Sequence, residues 1–123
     1  MRIAHALGVD HIGHTHGIYH EKMGEKLAEM DDLAGKIISA IDDNTVLFIM
    51  GDHGMSNEGD HGGGSPEETE TAIAAYYKKG FRKFQESTGD LKEMMKSMNE
   101  NPKILKQMDI APTLAMLLGL PIP

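Results

Sequence analysis

Along the chain, apolar positions gather into runs separated by polar stretches bounded by glycine. Ile3 to Val9 is short, mostly apolar and followed by Gly and Asp turn chemistry, a pattern that predicts a buried strand carrying a polar motif at its carboxyl end. From His20 to about Ile41, the apolar residues Met23, Leu27, Met30, Ala34, Ile37, Ile38 and Ile41 step by three and four, the spacing of one helical face. The stripe Met30, Leu33, Ile37 is read as core packing. Asp42-Asp43-Asn44 ends that helix. Thr45 to Met50, "TVLFIM", then has strand length and no polar alternation, as expected for a strand covered on both faces. It delivers "GDHG" at its carboxyl end.

Strand, helix and strand, with a glycine-bounded polar motif after each strand, predict a βαβ unit of an open α/β sheet, where ligands bind outside the carboxyl ends of the strands. Gly59 to Ser65, "GDHGGGS", reads as loop, because a glycine run loses too much backbone entropy to hold regular structure. Thr71 to Tyr77 fits a further strand, although its alanines also allow a helix. Lys78 to Lys106 is polar, Met-rich and weakly periodic, which predicts short helices. Asp109 is placed to cap a helix from Ile110 to Leu118 with Pro112 near its first turn; Gly119 stops it and "LPIP" leaves in extended form.

At 123 residues the chain suits one domain with a core of its own. A net charge of -7, with no segment that gathers Lys and Arg, argues against a nucleic-acid surface. No apolar run approaches the roughly 20 residues that span a bilayer, so any membrane part is expected to lie outside these residues. The absence of cysteine removes thiolate ligands, and any metal must therefore sit on imidazole and carboxylate.

All seven histidines precede Gly62. The stretch "GVDHIGHTHG" holds Asp10, His11, His14 and His16. Asp10 and His14, four apart, share one side of a helical turn and can share a metal ion. Asp52 and His53 are adjacent at a strand end between Gly51 and Gly54, where the backbone is free to turn both inward. His61, beyond a flexible stretch, can fold back as a third ligand. Carboxylate oxygen and imidazole nitrogen without sulfur suit zinc, with manganese next. Taken singly, His5, His11 and His20 read as hydrogen-bonded surface residues, and an Asp-His pair at a turn is often turn chemistry alone. Three clusters flanked by glycine, two of them placed after predicted strands, are a different matter, since independent surface decoration does not produce such a set.

"GVDHIGHTHG", "MGDHGMSNEGDHGGGS" and the closing "MDIAPTLAMLLGLPIP" resemble the metal-binding half of the glycosylphosphatidylinositol (GPI) ethanolamine phosphate transferases, members of the alkaline phosphatase superfamily, and are most like the branch that acts on the third mannose. The resemblance runs from Ile3 to about Tyr77 and again from Gln107 to Pro123. It implies an alkaline-phosphatase-like α/β sheet with flanking helices, of which residues 1–123 would be part. It implies one zinc on Asp10, His14 and His61, a second on Asp52 and His53, and His16 facing the substrate phosphate. The family's reaction moves phosphoethanolamine from phosphatidylethanolamine onto a mannose of the GPI glycan in the lumen of the endoplasmic reticulum, and a small membrane-spanning stabilising subunit is the partner it implies.

In that family the nucleophilic threonine and a further aspartate for the second zinc come from a segment well before the position of Gly8. Only seven residues precede Gly8 here, none of them threonine, while Thr15 and Thr45 are poor substitutes. The chain therefore reads as the carboxyl-side part of a catalytic domain, inactive by itself. Two rivals stand beside this reading: a phosphodiesterase or nucleotide pyrophosphatase of the same superfamily, and a non-catalytic metal-binding module.

Overall fold

The computed structural model describes residues 1–80 and 104–122. They belong to two compact units, Met1–Arg82 and Lys83–Pro123. The first unit contains helix α1 (Gly8–His16), helix α2 (Glu21–Ala40), strand β1 (Val46–Met50), the single-turn helix α3 (Pro66–Thr69) and strand β2 (Ile73–Tyr77).

The strand expected over residues 3–9 does not form. Residues 1–7 carry no regular structure, and Gly8 and Val9 open α1. A strand exists only by pairing, and among the described residues β1 pairs with β2 alone, whereas a helix satisfies its backbone groups internally. The predicted βαβ unit is therefore absent. Its place is taken by an antiparallel pair in which Val46 faces Tyr77 and Met50 faces Ile73, prolonged by a hydrogen bond from Gly51 N–H to the Ala72 carbonyl at 3.1 Å. Helices with this two-stranded sheet are consistent with part of an alkaline-phosphatase-like α/β fold.

Helix α1 ends where Gly17, at φ 79°, donates its N–H to the Gly13 carbonyl at 2.8 Å. Helix α2 begins at His20, whose Nδ1 accepts the Lys22 N–H at 3.3 Å, so this histidine serves as an N-cap. The helix stops at Ala40. Beyond it, Asp42 Oδ1 accepts the Asn44 N–H at 3.0 Å and the Thr45 hydroxyl at 2.7 Å, a local turn that leads into β1. These two hydrogen bonds, the hydroxyl first, hold the Asp42 carboxyl below its ordinary value.

The predicted face of α2 is largely observed, since Met23 is buried and Met30, Ala34, Ile37, Ile38 and Ile41 are half-buried. Leu27 and Leu33 stand exposed, so the Met30, Leu33, Ile37 stripe is not a core stripe throughout. At that point Lys26 lays its stem against Gly8, covering apolar surface as a long cationic side chain can. Strand β1 is half-buried at Val46, Leu47 and Phe48 and exposed at Ile49 and Met50. It is not covered on both faces, because a sheet of two strands leaves one face and the strand ends open. Nor is there an extensive core: among the described residues, Met23 and Ala115 are the buried apolar side chains.

In the second unit, a 3-10 turn at Gln107–Asp109 leads into helix α4 (Ile110–Leu117). Asp109 is the cap residue, as its position predicts, but its side chain makes no capping bond; the Thr113 hydroxyl donates to its carbonyl at 2.6 Å. Pro112 falls in the first turn. At the far end Leu120 N–H reaches the Ala115 carbonyl at 2.9 Å and Gly119 N–H reaches Met116 at 3.1 Å, with Gly119 at φ 68°. This is the Schellman arrangement that glycine permits. The short helices expected over Lys78 to Lys106 lie almost wholly in residues 81–103, outside the described residues.

Candidate metal centre

Residues 51–72, between the paired strands, leave the sheet and return to it, and this excursion carries Asp52, His53, Asp60 and His61. Close backbone contacts fix its course. Gly59, at φ 91°, sits against the Gly13 carbonyl of α1, where a Cβ would collide with backbone. Gly54 N–H donates to the Glu68 carbonyl at 2.8 Å, and a side chain at Gly54 would meet the Glu67 carbonyl. Ser56 N–H bonds to the Asp60 carbonyl at 2.8 Å, and the Tyr19 hydroxyl donates to Asn57 Oδ1 at 3.0 Å. The excursion is thus seated on α1 through Gly59 and folded back on its own single-turn helix α3 through Gly54.

The seating brings His61 to the turn of α1 that carries Asp10 and His14. His14 Nε2 lies 3.4 Å and His61 Nε2 3.3 Å from the same oxygen, Asp10 Oδ1. One donor atom from each of the three residues falls within 4.8 Å of the others. Asp10 Oδ1 is shut off from solvent and makes no hydrogen bond. Behind His14, Asp60 Oδ1 lies 3.7 Å from Nδ1, a carboxylate placed on the far ring nitrogen as metal-binding histidines commonly have. A buried carboxylate oxygen without a hydrogen-bond donor is costly, and two imidazole nitrogens beside it without hydrogen bonds do not relieve that cost. A shared cation does. Tetrahedral zinc with bonds of about 2.0–2.1 Å sets its donors about 3.3 Å apart, the spacing of Asp10 Oδ1 from both histidines. The residues present fit a divalent ion with nitrogen and oxygen ligands.

Asp52 and His53 stand beside this group. His53 stacks on His61 with ring centres 3.9 Å apart and planes inclined by 28°, and its Nδ1 lies 2.8 Å from the Gly54 carbonyl. Its Nε2 is 3.8 Å from Asp52 Oδ1. His16 is elsewhere: it stacks on His20 at 4.6 Å, and its Nε2 is 3.3 Å from Lys22 Nζ. Partial loss of hydration, then the Lys22 ammonium, then His20 and His11, hold His16 below its ordinary pKa, which favours the neutral ring.

Three contributors escaped the reading of the sequence. Asp60 backs His14. His5, which reads as a surface residue, has its Nε2 3.6 Å from Asp52 Oδ2. Glu68 accepts the Gly63 N–H at 2.8 Å and the Ser65 N–H at 3.3 Å, binding the glycine loop that follows His61 to the first turn of α3. The Gly63 N–H first, then the Ser65 side chain and N–H, hold the Glu68 carboxyl below its ordinary value, with His61 adding a smaller part. Glu68 did leave a signal, since Ser65-Pro66-Glu67-Glu68 is the S-x-x-E pattern of a capping box.

A family model described as type I phosphodiesterase / nucleotide pyrophosphatase matches residues 3–105. The chain belongs to this family. It is 40% identical over 121 residues to GPI ethanolamine phosphate transferase 3, catalytic subunit, of Homo sapiens, an alignment covering 98% of this chain and 10% of the relative. Against GPI ethanolamine phosphate transferase 3 of Schizosaccharomyces pombe it is 44% identical over 121 residues, 98% of this chain and 12% of the relative. Against GPI ethanolamine phosphate transferase 2, catalytic subunit, of Homo sapiens it is 38% identical over 128 residues, again 98% and 12%. The resemblance carried by the motifs is borne out, and the aligned span continues through the middle of the chain, where the motifs fade. The chain spans about a tenth of the length of these curated relatives. No solved structure matches it. Among the described residues, no helix is long and apolar enough to cross a membrane.

Proposed function

We propose that this chain is the metal-binding part of an enzyme that transfers phosphoethanolamine from phosphatidylethanolamine to a mannose of the GPI glycan, the third mannose being the acceptor. The observation that carries the reading is the convergence of His14 and His61 on the buried Asp10 Oδ1, in a chain aligned over nearly its whole length with transferases so named. Asp10, His14 and His61 hold one zinc, with manganese as the alternative ion, and Asp52 and His53 contribute to a second. Two divalent ions so held would stabilise charge on the attacking and leaving oxygens of an in-line displacement and lower the pKa of a bound hydroxyl.

The chain's own side chains have separate tasks. Asp60 sets a carboxylate 3.7 Å from His14 Nδ1, and the Gly54 carbonyl orients the His53 ring. His16, kept neutral and set beside the Lys22 ammonium, faces the substrate phosphate as a donor with a cation at its flank. By the same likeness the whole enzyme works at the endoplasmic reticulum membrane with this part on the lumenal side, assisted by a small membrane-spanning subunit. The membrane contact falls to segments other than the described residues.

Two measurements test the reading. The purified chain, dialysed against buffer, is expected to retain one zinc by elemental analysis; retention of none contradicts the Asp10 group. In membranes containing the whole enzyme, His61→Ala and Asp52→Ala are expected to abolish transfer of labelled phosphoethanolamine to the mannolipid. Undiminished transfer in either variant overturns the assignment. The family description also favours a second reading, phosphodiester hydrolysis. Release of p-nitrophenol from a generic phosphodiester at a rate indifferent to the mannolipid acceptor would select it.

A further inference from the structure

Just before His61 the chain makes a closed turn, and the helices beneath grip that turn at two points. Within it, Gly59 N–H donates to the Ser56 carbonyl at 3.0 Å, Ser56 N–H to the Asp60 carbonyl at 2.8 Å and Asp60 N–H to the Ser56 hydroxyl at 3.2 Å. These three bonds tie residues 56–60 into one piece. The first grip is the buried Gly59, packed at φ 91° on the Gly13 carbonyl of α1. The second is Asn57, whose Oδ1 accepts the Tyr19 hydroxyl at 3.0 Å. Tyr19 lies in the link between α1 and α2, 38 positions from Asn57, and is 82% exposed. Burial therefore does not account for the placement of this aromatic residue; its hydrogen bond across the fold does. A contact at Gly59 alone would leave the turn free to pivot about that point. The contact at Asn57 removes the pivot, and with it the swing of His61 relative to Asp10 and His14.

We propose that Tyr19 is a positioning residue for the metal centre, its hydroxyl holding Asn57 and so fixing the turn that presents His61 to Asp10 and His14. The inference rests on the reading that these three residues hold a divalent ion, and it assigns a task to a residue that is not itself a ligand. A side chain held in place before the ion arrives binds it more tightly, because less ordering is left to the binding step. One exposed hydrogen bond contributes modestly, which sets the expected effect at about three- to tenfold in affinity rather than loss of binding. The competing account is a surface hydrogen bond without consequence for the metal.

Zinc affinity of the metal-free chain, measured by competition with a chromophoric chelator, and cleavage by a glutamate-specific protease separate the two accounts. Tyr19→Phe removes the hydroxyl and keeps the ring, at a position too exposed for the change to disturb packing. It is expected to weaken zinc about three- to tenfold. In the metal-free chain it should speed cleavage after Glu58, in the turn, relative to cleavage after Glu25 in α2, and saturating zinc should restore protection at Glu58. The loss of affinity should be kept in an Asn57→Asp background, which retains the acceptor oxygen, and should vanish in an Asn57→Ala background, which does not. If Tyr19→Phe changes affinity less than about threefold while His14→Ala still removes the site, the proposal is overturned and the Asp10 group stands. A loss that persists undiminished in the Asn57→Ala background overturns it as well, as does cleavage after Glu25 accelerated as much as after Glu58. A chain whose zinc affinity is indifferent to His14→Ala and His61→Ala overturns the proposal together with the reading beneath it.

Discussion

The two donor groups differ in how the fold prepares them. Asp10 and His14 ride on one turn of α1, and His61 is held against them by a glycine contact with that helix, so the shared oxygen is closed off from solvent before any ligand arrives. Asp52 and His53 stand at a strand end, and His5 reaches them from residues without regular structure, all more open to water. The chemistry of the donors is the same in both. What differs is the ordering entropy and desolvation already met during folding, and on the proposed reading that difference predicts tighter metal binding by the first group.

The largest expected effect sets one group against the other. His14→Ala should lower zinc affinity of the tight site at least about a hundredfold, because it removes a ligand and leaves the buried Asp10 oxygen with fewer partners. His53→Ala, which touches that site only by stacking on His61, should change it several-fold at most, and His20→Ala, a helix cap, should not change it. Equal losses in His14→Ala and His53→Ala, measured by competition with a chromophoric chelator, would erase the distinction between the groups.

Next comes the glycine contact. Gly59→Ala meets both an unfavourable φ and the Gly13 carbonyl, and is expected to cost about 2–3 kcal/mol of stability in thermal unfolding. It should weaken the tight site and spare the weaker one. A variant that keeps wild-type zinc affinity would show that α1 does not hold His61 in place.

Glu68→Ala should act on His61 alone. It releases the Gly63 and Ser65 amides and is expected to weaken zinc at the tight site by about tenfold with little change in melting temperature. Calorimetric titration beside a melting curve separates this from general loss of stability.

The smallest effect lies away from both groups and serves as a control. The Asp42 carboxyl is lowered in the folded chain, so its contribution to stability is present above the unfolded value of about 3.9 and is lost as pH falls through the folded one. Asp42→Asn should therefore melt slightly below wild type from neutral pH to about pH 5, and the gap should close in stronger acid. Zinc affinity should stay as in wild type. A gap that widens in acid would mean that the turn is not held by the charged carboxylate.

The sequence alone determined what is local or compositional. Apolar spacing marks α2 to within a residue or two, the breaks at Asp42 and Gly119 follow from turn and cap chemistry, and Asp10 with His14 announces a shared helical turn. The family is legible from its motifs, because ligand types at fixed spacing are written directly in the chain. Tertiary structure decided the rest. Residues 3–9 have strand composition, but a strand needs a partner, and β1 takes β2 instead in the antiparallel sense. Composition promises a core, yet burial depends on which faces meet, and Met23 and Ala115 are the apolar side chains that are buried among the described residues. That His61 meets Asp10 across fifty residues was legible only through the family motifs, not from local spacing, and nothing in the sequence told that Glu68 ties down the loop after it or that His5 arrives at Asp52. These contacts are made by the excursion of residues 51–72 and by the approach of residues 1–7, segments whose course follows from close backbone contacts and side-chain pairing rather than from any local periodicity.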